Sequence, residues 1–228
     1  MGADAGAVLE YYGALLKRYG PQGWWPILDL HHARKGVNPT KSGSINGYHP
    51  GDFSYPRSEA QRFEICIGAI LTQNTAWPNV EKALLNLKQL DCLDSGRLLA
   101  LSEEILKGAI RPAGYFNQKA RKLKVFAEFY ASLKGRAPSR GELLGLWGVG
   151  PETADSILLY AFRVPVFVVD AYTRRIFSGM GWFEKDAEYE SIRSFFESSL
   201  DGDYKLFQEY HALIVEKGKR MRAEVVKK

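Results

Sequence analysis

Apolar residues recur at helical spacing through most of this chain, and this periodicity restricts the fold more than any other feature. From Phe63 onward, most segments between turns place apolar residues three or four positions apart, as on one face of an α-helix. The segment 164–169 is rich in β-branched residues, but Pro165 and its short length argue against a strand in a sheet. We therefore predict an all-α fold.

Turn residues and capping signals divide the chain into predicted helices. These cover residues 5–19, 63–71, 78–90, 95–101, 102–110, 117–133, a segment that opens at the capping box of Ser139 and Glu142, 154–161, 170–180, 189–200 and 204–219. The stretch 31–58 is rich in Gly, Ser, Asn and Pro and predicts a long loop. Such a loop is either functional or a tolerated surface insertion.

Composition excludes several classes of protein. The chain carries a net charge of +5, which fits a polyanionic partner but is also common in proteins without one. Its two cysteines, Cys66 and Cys92, cannot build a disulfide framework or a four-cysteine metal cluster. Asp4 and Glu10 interrupt the N-terminus, so we expect no signal peptide and a cytoplasmic location. The apolar runs are too short for a membrane span.

A glycine hairpin between two helices is the most informative local motif. A helix ends near Leu146, the turn Gly148-Val149-Gly150 follows, and a new helix begins at Pro151. The glycines allow positive φ and close approach of another backbone. The free N–H groups of the new helix can hold a phosphate without reading sequence, and the hairpin carbonyls can accept a monovalent cation. The turn alone is more typical of an ordinary connection between helices.

A second motif follows at a fixed distance, and the two together resemble a known family. Asp170 stands in the segment 168–175, Val-Val-Asp-Ala-Tyr-Thr-Arg-Arg. With Leu146-x-Gly-Val-Gly-x-x-Thr-Ala before it, this segment resembles the helix-hairpin-helix glycosylases of the endonuclease III superfamily over residues 63–215. The resemblance implies two helical lobes with the active site in the cleft between them. Residues 1–62 and 164–228 would form one discontinuous lobe, and 63–163 a barrel-like lobe with the hairpin at about 139–163.

The resemblance also implies roles for individual residues. Cleavage of an N-glycosidic bond builds positive charge on the sugar, which the Asp170 carboxylate would stabilise; the alternative role is a helix N-cap. Gln73 or Asn74 would fill the gap left by a flipped base, the alternative being a helix C-cap. The hairpin residues expected to hold DNA phosphate are Gly148, Val149, Gly150 and Thr153.

Two departures from the family limit the expected chemistry. Members that also cut the DNA backbone carry a lysine two residues after the last hairpin glycine, where this chain has Glu152. A carboxylate cannot form a Schiff base, so we predict a monofunctional glycosylase. Many relatives also hold a C-terminal four-cysteine iron–sulfur cluster. No cysteine follows Cys92 here, so we predict no such cluster and no required cofactor.

Aromatic residues suggest the substrate. Trp24-Trp25-Pro26 and Trp77 resemble the base pocket of the 3-methyladenine glycosylases of this superfamily, whose close relatives also share the pattern found at 111–119, Arg-Pro-x-Gly-Tyr-Phe-Asn-Gln-Lys. By this resemblance Lys219 reaches the pocket. Clustered tryptophans are also typical of a core. We predict excision of an alkylpurine, with two alternatives: removal of uracil or thymine opposite guanine, and a non-catalytic DNA-binding protein, against which Asp170 argues.

The remaining polar signals are weaker. No metal-ligand spacing is recognisable among the four histidines, so we predict no metal site; they are His31, His32, His49 and His211. The basic C-terminal residues either contact DNA or are solvated; they are Lys217, Lys219, Arg220, Arg222, Lys227 and Lys228. The expected partner is double-stranded DNA with a damaged base, bound by a monomer.

Overall fold

The computed structural model describes residues 4–30 and 47–226, with side chains as far as Met221. Within these ranges the chain forms α-helices and no strand, which confirms the predicted all-α class. The helices are α1 Ala5–Tyr19, α2 Glu59–Leu71, α3 Trp77–Gln89, α4 Ser95–Ala100, α5 Glu103–Ile110, α6 Phe116–Leu133, α7 Arg140–Leu144, α8 Pro151–Ser156, α9 Ala171–Gly179, α10 Tyr189–Ser199 and α11 Tyr204–Val226. A 3₁₀ turn, Arg111–Ala113, precedes α6, and a π-helical turn, Ile157–Ala161, continues α8.

Side-chain caps explain why several helices begin where they do. The side chains of Ser58, Asp94 and Ser102 each accept a hydrogen bond from a backbone N–H in the first turn of α2, α4 and α5. At α7 the predicted capping box is present, because Ser139 and Glu142 satisfy each other's backbone N–H groups. These helix starts are therefore encoded by local sequence.

Helix α2 runs through the centre of the protein. All nine residues of its 63–71 segment are buried, and the helix packs against α3, α6, α8 and the π turn. This explains why the segment is apolar nearly all round instead of on one face. Cys66 is fully buried here, as expected for a core residue, and burial raises the pKa of its thiol.

The N-terminal helix packs on the C-terminal part of the chain. Helix α1 contacts α10 and α11, while α11 also packs against α9 and the π turn. Residues 47–58 and 164–169 have no regular structure, and the rest of the predicted 31–58 loop lies outside the described residues. The lobe boundaries predicted at 62, 63, 163 and 164 stay a prediction. None of the described helices combines the length and apolarity needed to cross a membrane.

Candidate active site

An open cleft of about 980 Å³ brings three predicted site segments together. Its walls come from 72–76 after α2, from 148–153 around the hairpin, and from 169–175 at the start of α9, with Tyr189 beside them. Ligand sites in proteins commonly enclose roughly 300–1,000 Å³. The cleft is therefore large enough for a nucleotide that has left its helix.

Asp170 is held rigidly at the edge of this cleft. It caps α9, and its Oδ1 atom accepts hydrogen bonds from the backbone N–H and the hydroxyl of Thr173, at 2.7 and 2.8 Å. Its neighbours Val169 and Ala171 line the cleft. The other carboxylate oxygen, Oδ2, lies 3.8 Å from Nε2 of His211. Asp170 is thus a helix N-cap that keeps one oxygen for other partners.

A hydroxyl bridge fixes the segment that leads into Asp170. The Tyr189 hydroxyl accepts from the N–H of Val169 at 3.3 Å and donates to Oδ2 of Asp155 at 2.8 Å. Asp155 is fully buried in α8 and is held by both Nε and Nη2 of Arg140, at 2.7 and 3.1 Å. The hairpin helix and the Asp170 segment are therefore joined by partly buried polar bonds.

The two hairpin glycines have different roles. Gly148 has φ +84, and a Cβ there would lie 2.5–2.8 Å from carbon atoms of Lys122. Gly150 has φ −96 and caps α8 in an extended conformation, with nothing within 4 Å of an added Cβ. Of the two glycines, only Gly148 uses the positive φ that glycine allows. An extended residue suffices to start α8, and the space beside it is open to a ligand.

Gln73 connects the segment after α2 to the hairpin. Its Nε2 donates to the carbonyl of Gly148 at 3.0 Å and to the hydroxyl of Thr153 at 2.9 Å, and its Oε1 accepts from Lys122. The next residue, Asn74, is exposed and has φ 53. Of the two predicted wedge residues, Gln73 is engaged inside the protein and Asn74 faces outward.

A buried lysine holds the same segment from the other side. Lys119 donates from Nζ to the carbonyls of Leu71 and Ala113, both at 2.8 Å, and to the hydroxyl of Thr75 at 2.7 Å. Burial, and then the charge of Lys122, lower its pKa to about 8. The basic start of α6 thus serves internal bonds as well as the surface.

Glu152 stands in the first turn of α8 and lines the cleft. Its side chain is exposed, but the protein atoms around it partly desolvate the carboxylate. This desolvation, followed by repulsion from Asp170, raises its pKa to about 7, while Arg174 opposes the shift. The position expected for a lyase lysine therefore carries a carboxylate whose pKa is raised by its surroundings.

The predicted pocket tryptophans form one cluster. Their ring centroids lie 5.6–5.8 Å apart for the pairs among Trp24, Trp25 and Trp77. Trp25, Trp77 and Pro26 are buried, whereas Trp24 is half-buried. Nζ of Lys219 lies 5.2 Å from the Trp24 ring centroid. The cluster therefore packs as core on one side and meets a cation on the other.

Two further groups of polar residues were considered in the sequence. The ring nitrogens of His49 lie 2.7 Å from the carbonyl oxygen of Asp52 and 2.9 Å from that of Trp25, so this histidine braces the tryptophan segment. Arg220 pairs with Glu216 on its own helix at 2.8 Å. His31 and His32 lie outside the described residues, as do the side chains of Arg222, Lys227 and Lys228.

Sequence patterns did not single out several residues that the fold brings to this region. Tyr160 packs on Trp25 with centroids 5.4 Å apart, and its hydroxyl lies 2.7 Å from Nδ1 of His211. Tyr115 is 66% exposed and has φ 46. Its loop is joined to the Asn74 segment, because the Thr75 hydroxyl donates a hydrogen bond to the carbonyl of Ala113. The only available signal for Tyr115 was its place in the 111–119 motif.

Comparison with known proteins identifies the family. The model of the HhH-GPD superfamily of base excision DNA repair proteins matches residues 67–201, more than half of the chain. The chain belongs to this family. Its HhH-GPD membership confirms the resemblance to the endonuclease III superfamily and makes the protein a DNA glycosylase of base excision repair.

Individual relatives agree with this assignment. A Methanocaldococcus jannaschii protein named as a DNA repair glycosylase is 40% identical over 224 residues, covering 93% of this HhH-GPD chain and 87% of its own. Endonuclease III of Thermotoga maritima is 34% identical over 136 residues, covering 56% of this chain and 62% of its own. Both similarities fall within a family of DNA repair enzymes.

Solved structures share the fold. The Helicobacter pylori 3-methyladenine DNA glycosylase bound to 1,N6-ethenoadenine superposes with a TM-score of 0.69 at 25% identity, over 96% of this HhH-GPD chain and 99% of that one. An endonuclease III–DNA complex superposes with a TM-score of 0.67 at 20% identity, over 93% and 85% of the two chains. The helix-hairpin-helix glycosylase fold extends over nearly the whole chain, and a DNA-bound relative has it too.

Proposed function

We propose that this HhH-GPD glycosylase is monofunctional and removes alkylated purines, such as 3-methyladenine, from double-stranded DNA. The observation that carries the substrate class is the cluster of Trp24, Trp25 and Trp77, with the Lys219 ammonium on the face of Trp24. An aromatic face that holds one cation can hold a positively charged alkylpurine in its place, at about 0.5–2 kcal/mol of attraction. The name and ligand of the H. pylori relative support the same class.

DNA binding would use the hairpin and the segment after α2. The first turn of α8 has no side-chain cap, so its N–H groups are available to a phosphate. Asn74, exposed beside the cleft, is the wedge that enters the duplex when the damaged base leaves. Gln73 instead holds the wedge segment against the hairpin. A monovalent cation at the hairpin stays a proposal. It would have to share the carbonyl oxygens of Leu146 and Gly148 with the hydrogen bonds that they already accept.

Asp170 would carry the chemistry. As the bond between C1′ and the purine nitrogen breaks, the base leaves with the electron pair and positive charge develops on the sugar. The Asp170 carboxylate stabilises that charge and orients a water molecule, whose oxygen bonds to C1′ and whose proton passes to the carboxylate. An alkylated, cationic purine leaves as a neutral base. It therefore needs little further help from the pocket.

Glu152 accounts for the monofunctional part of the proposal. A lysine at this place could attack C1′ and form a Schiff base, but a carboxylate has no amine for it. The expected product is an intact strand with an abasic site. Borohydride added during turnover should trap no covalent complex between protein and DNA, and a trapped complex would contradict this part.

The deciding experiment is base release from duplexes that carry 3-methyladenine, other alkylpurines, hypoxanthine, uracil opposite guanine and thymine opposite guanine. Release confined to alkylpurines is expected, and Asp170→Asn should lower it by at least about 100-fold while DNA binding persists. Release of uracil or thymine would favour the mismatch alternative. Release of nothing by the wild type, with tight DNA binding, would favour a binding protein without catalysis.

A further inference from the structure

One buried polar atom beside Asp170 has no hydrogen-bond partner. Nε2 of His211 is buried and unpaired among the described residues, and it lies 3.8 Å from Oδ2 of Asp170. Leaving a buried polar nitrogen without a partner costs folding free energy, so such a group in a native protein calls for an explanation. The other ring nitrogen, Nδ1, lies 2.7 Å from the Tyr160 hydroxyl.

The hydroxyl of Tyr160 decides which nitrogen carries the imidazole proton. It has one proton and two acceptors within reach, Nδ1 of His211 at 2.7 Å and the carbonyl of Gln208 at 3.2 Å. If the proton points to Gln208, then Nδ1 must donate to the tyrosine, and a bare Nε2 lone pair faces a carboxylate. If Tyr160 donates to Nδ1 over the shorter distance, Nε2 carries the proton and points it at Asp170. The second arrangement is electrostatically favourable, because Nδ1 accepts from Tyr160 and the Nε2–H points at the Asp170 carboxylate.

We propose that His211 is a positioning residue for Asp170, a neutral imidazole whose Nε2–H orients Oδ2 while Thr173 holds Oδ1. This inference rests on the role of Asp170 in the proposed function. The Nε2 and Oδ2 atoms lie 3.8 Å apart, so a side-chain shift of about 1 Å brings them within hydrogen-bond distance. Tyr160 also packs on Trp25, so one hydroxyl connects the tryptophan cluster to the orientation of the carboxylate.

Neutrality of the partner matters for the chemistry. A cation next to Asp170 would cancel the negative charge that the positively charged sugar requires, whereas a neutral N–H donor directs the oxygen and leaves its charge available. Burial lowers the pKa of His211, and the nearby Asp170 charge opposes that shift without reversing it. The titratable groups that face the ring are Asp170 at the start of α9 and Tyr160 on the π turn, with Glu209 of α11 acting on Tyr160.

The test compares variants that keep or remove the N–H at this place. His211→Gln puts an amide N–H near Nε2, and His211→Leu removes it. Single-turnover release of 3-methyladenine should fall roughly 10- to 100-fold in His211→Leu and recover most of that loss in His211→Gln. DNA affinity should be unchanged in both. In the wild type, protonation of His211 adds to the loss of rate at acidic pH, below the ordinary imidazole range because its pKa is lowered, and His211→Gln should lack that contribution.

A matched pair of tyrosine variants separates positioning from folding. Tyr160→Phe and Tyr210→Phe each remove a buried hydroxyl, since Tyr210 on α11 donates to the carbonyl of Val8 at 3.0 Å. Both should lower the melting temperature, but only Tyr160→Phe should lower the rate of base release. Equal rates in the two variants, or a wild-type rate in folded His211→Leu, would overturn the inference about His211. If Asp170→Asn also released base at the wild-type rate, the proposed function itself would fail.

Discussion

The side-chain amide of Gln73 lies 3.0 Å from the carbonyl oxygen of Gly148. This bond joins the segment after α2, where Asn74 is exposed beside the cleft, to the glycine turn of the hairpin. A displacement of one segment should therefore strain this bond and shift the other segment. Because Gln73 bonds inside the protein and Asn74 is exposed, substitutions of these two neighbours test different roles.

Replacing Asn74 by glycine should lower base release without unfolding the protein. Glycine keeps the left-handed backbone at φ 53 at no steric cost, while the side chain that would fill the duplex is lost. Gln73→Ala removes bonds to Gly148 and Thr153 and should lower the melting temperature as well. Thermal unfolding and excision from paired and unpaired lesions distinguish the two. Wild-type excision by Asn74→Gly would show that Asn74 is not the wedge.

Gly148→Ala should destabilise the hairpin and weaken DNA binding. Alanine at φ +84 costs about 1–2 kcal/mol, and its methyl group would displace Lys122, which bonds to Gln73. Gly150→Ala is the control, because Gly150 has φ −96 and open space around it. The free energy of unfolding should fall for the first variant and change little for the second. Comparable losses in both would contradict the different roles of the two glycines.

Glu152→Gln should raise stability at high pH and not at low pH. The folded-state pKa of Glu152 is raised from 4.5 to about 7, so between these values the folded protein holds a proton that the unfolded chain has released. Stability of the wild type therefore decreases as pH rises from about 4.5 to 7. The variant lacks this loss, so its melting temperature should exceed that of the wild type above pH 7. A difference of equal size at pH 4 would indicate another cause.

Gly218→Ala should disturb the cleft by displacing the Tyr172 side chain. A Cβ at Gly218 of α11 would lie 2.1 Å from Cδ1 of Tyr172, and Tyr172 lines the cleft two residues after Asp170. The ring must move, so both the melting temperature and the rate of excision should fall. Gly13→Ala is the matched change in α1, where nothing lies within 4 Å of an added Cβ, and it should stabilise the helix by up to about 1 kcal/mol. Unimpaired excision by Gly218→Ala would mean that the Tyr172 ring adapts freely.

Local signals in the sequence were sufficient for most of the fold. Caps such as Ser139 and Asp170 act within a few residues, so helix starts could be predicted from neighbouring side chains. The cleft segments were also predicted together, because their motifs resemble those of a family. The backbone conformation of Gly150 could not be predicted in this way. Its conformation depends on how α8 begins, and residue type alone does not reveal that.

Contacts between distant parts of the chain could not be predicted. The basic start of α6 indicates charge, but only the fold shows that Lys119 is buried among three oxygen atoms. Likewise His211 was weighed as a metal ligand, whereas α11 places it between Asp170 and Tyr160. A sequence records which groups are present. Their partners depend on packing, which no local pattern contains.

The geometry beside the cleft depends on the number of residues in the π-helical turn Ile157–Ala161. A π turn holds one residue more than an α-helical turn needs, as if a single residue had been inserted there. Deleting one residue within the turn, for example Leu159, would restore α-helical bonding, in which each residue turns the chain by about 100°, and would change the direction in which the remaining residues of the turn point. Tyr160 lies inside this turn, so its 2.7 Å contact with Nδ1 of His211 should be lost. The position of Tyr160 relative to His211 and Asp170 is therefore set by the number of residues in this turn as well as by their identity.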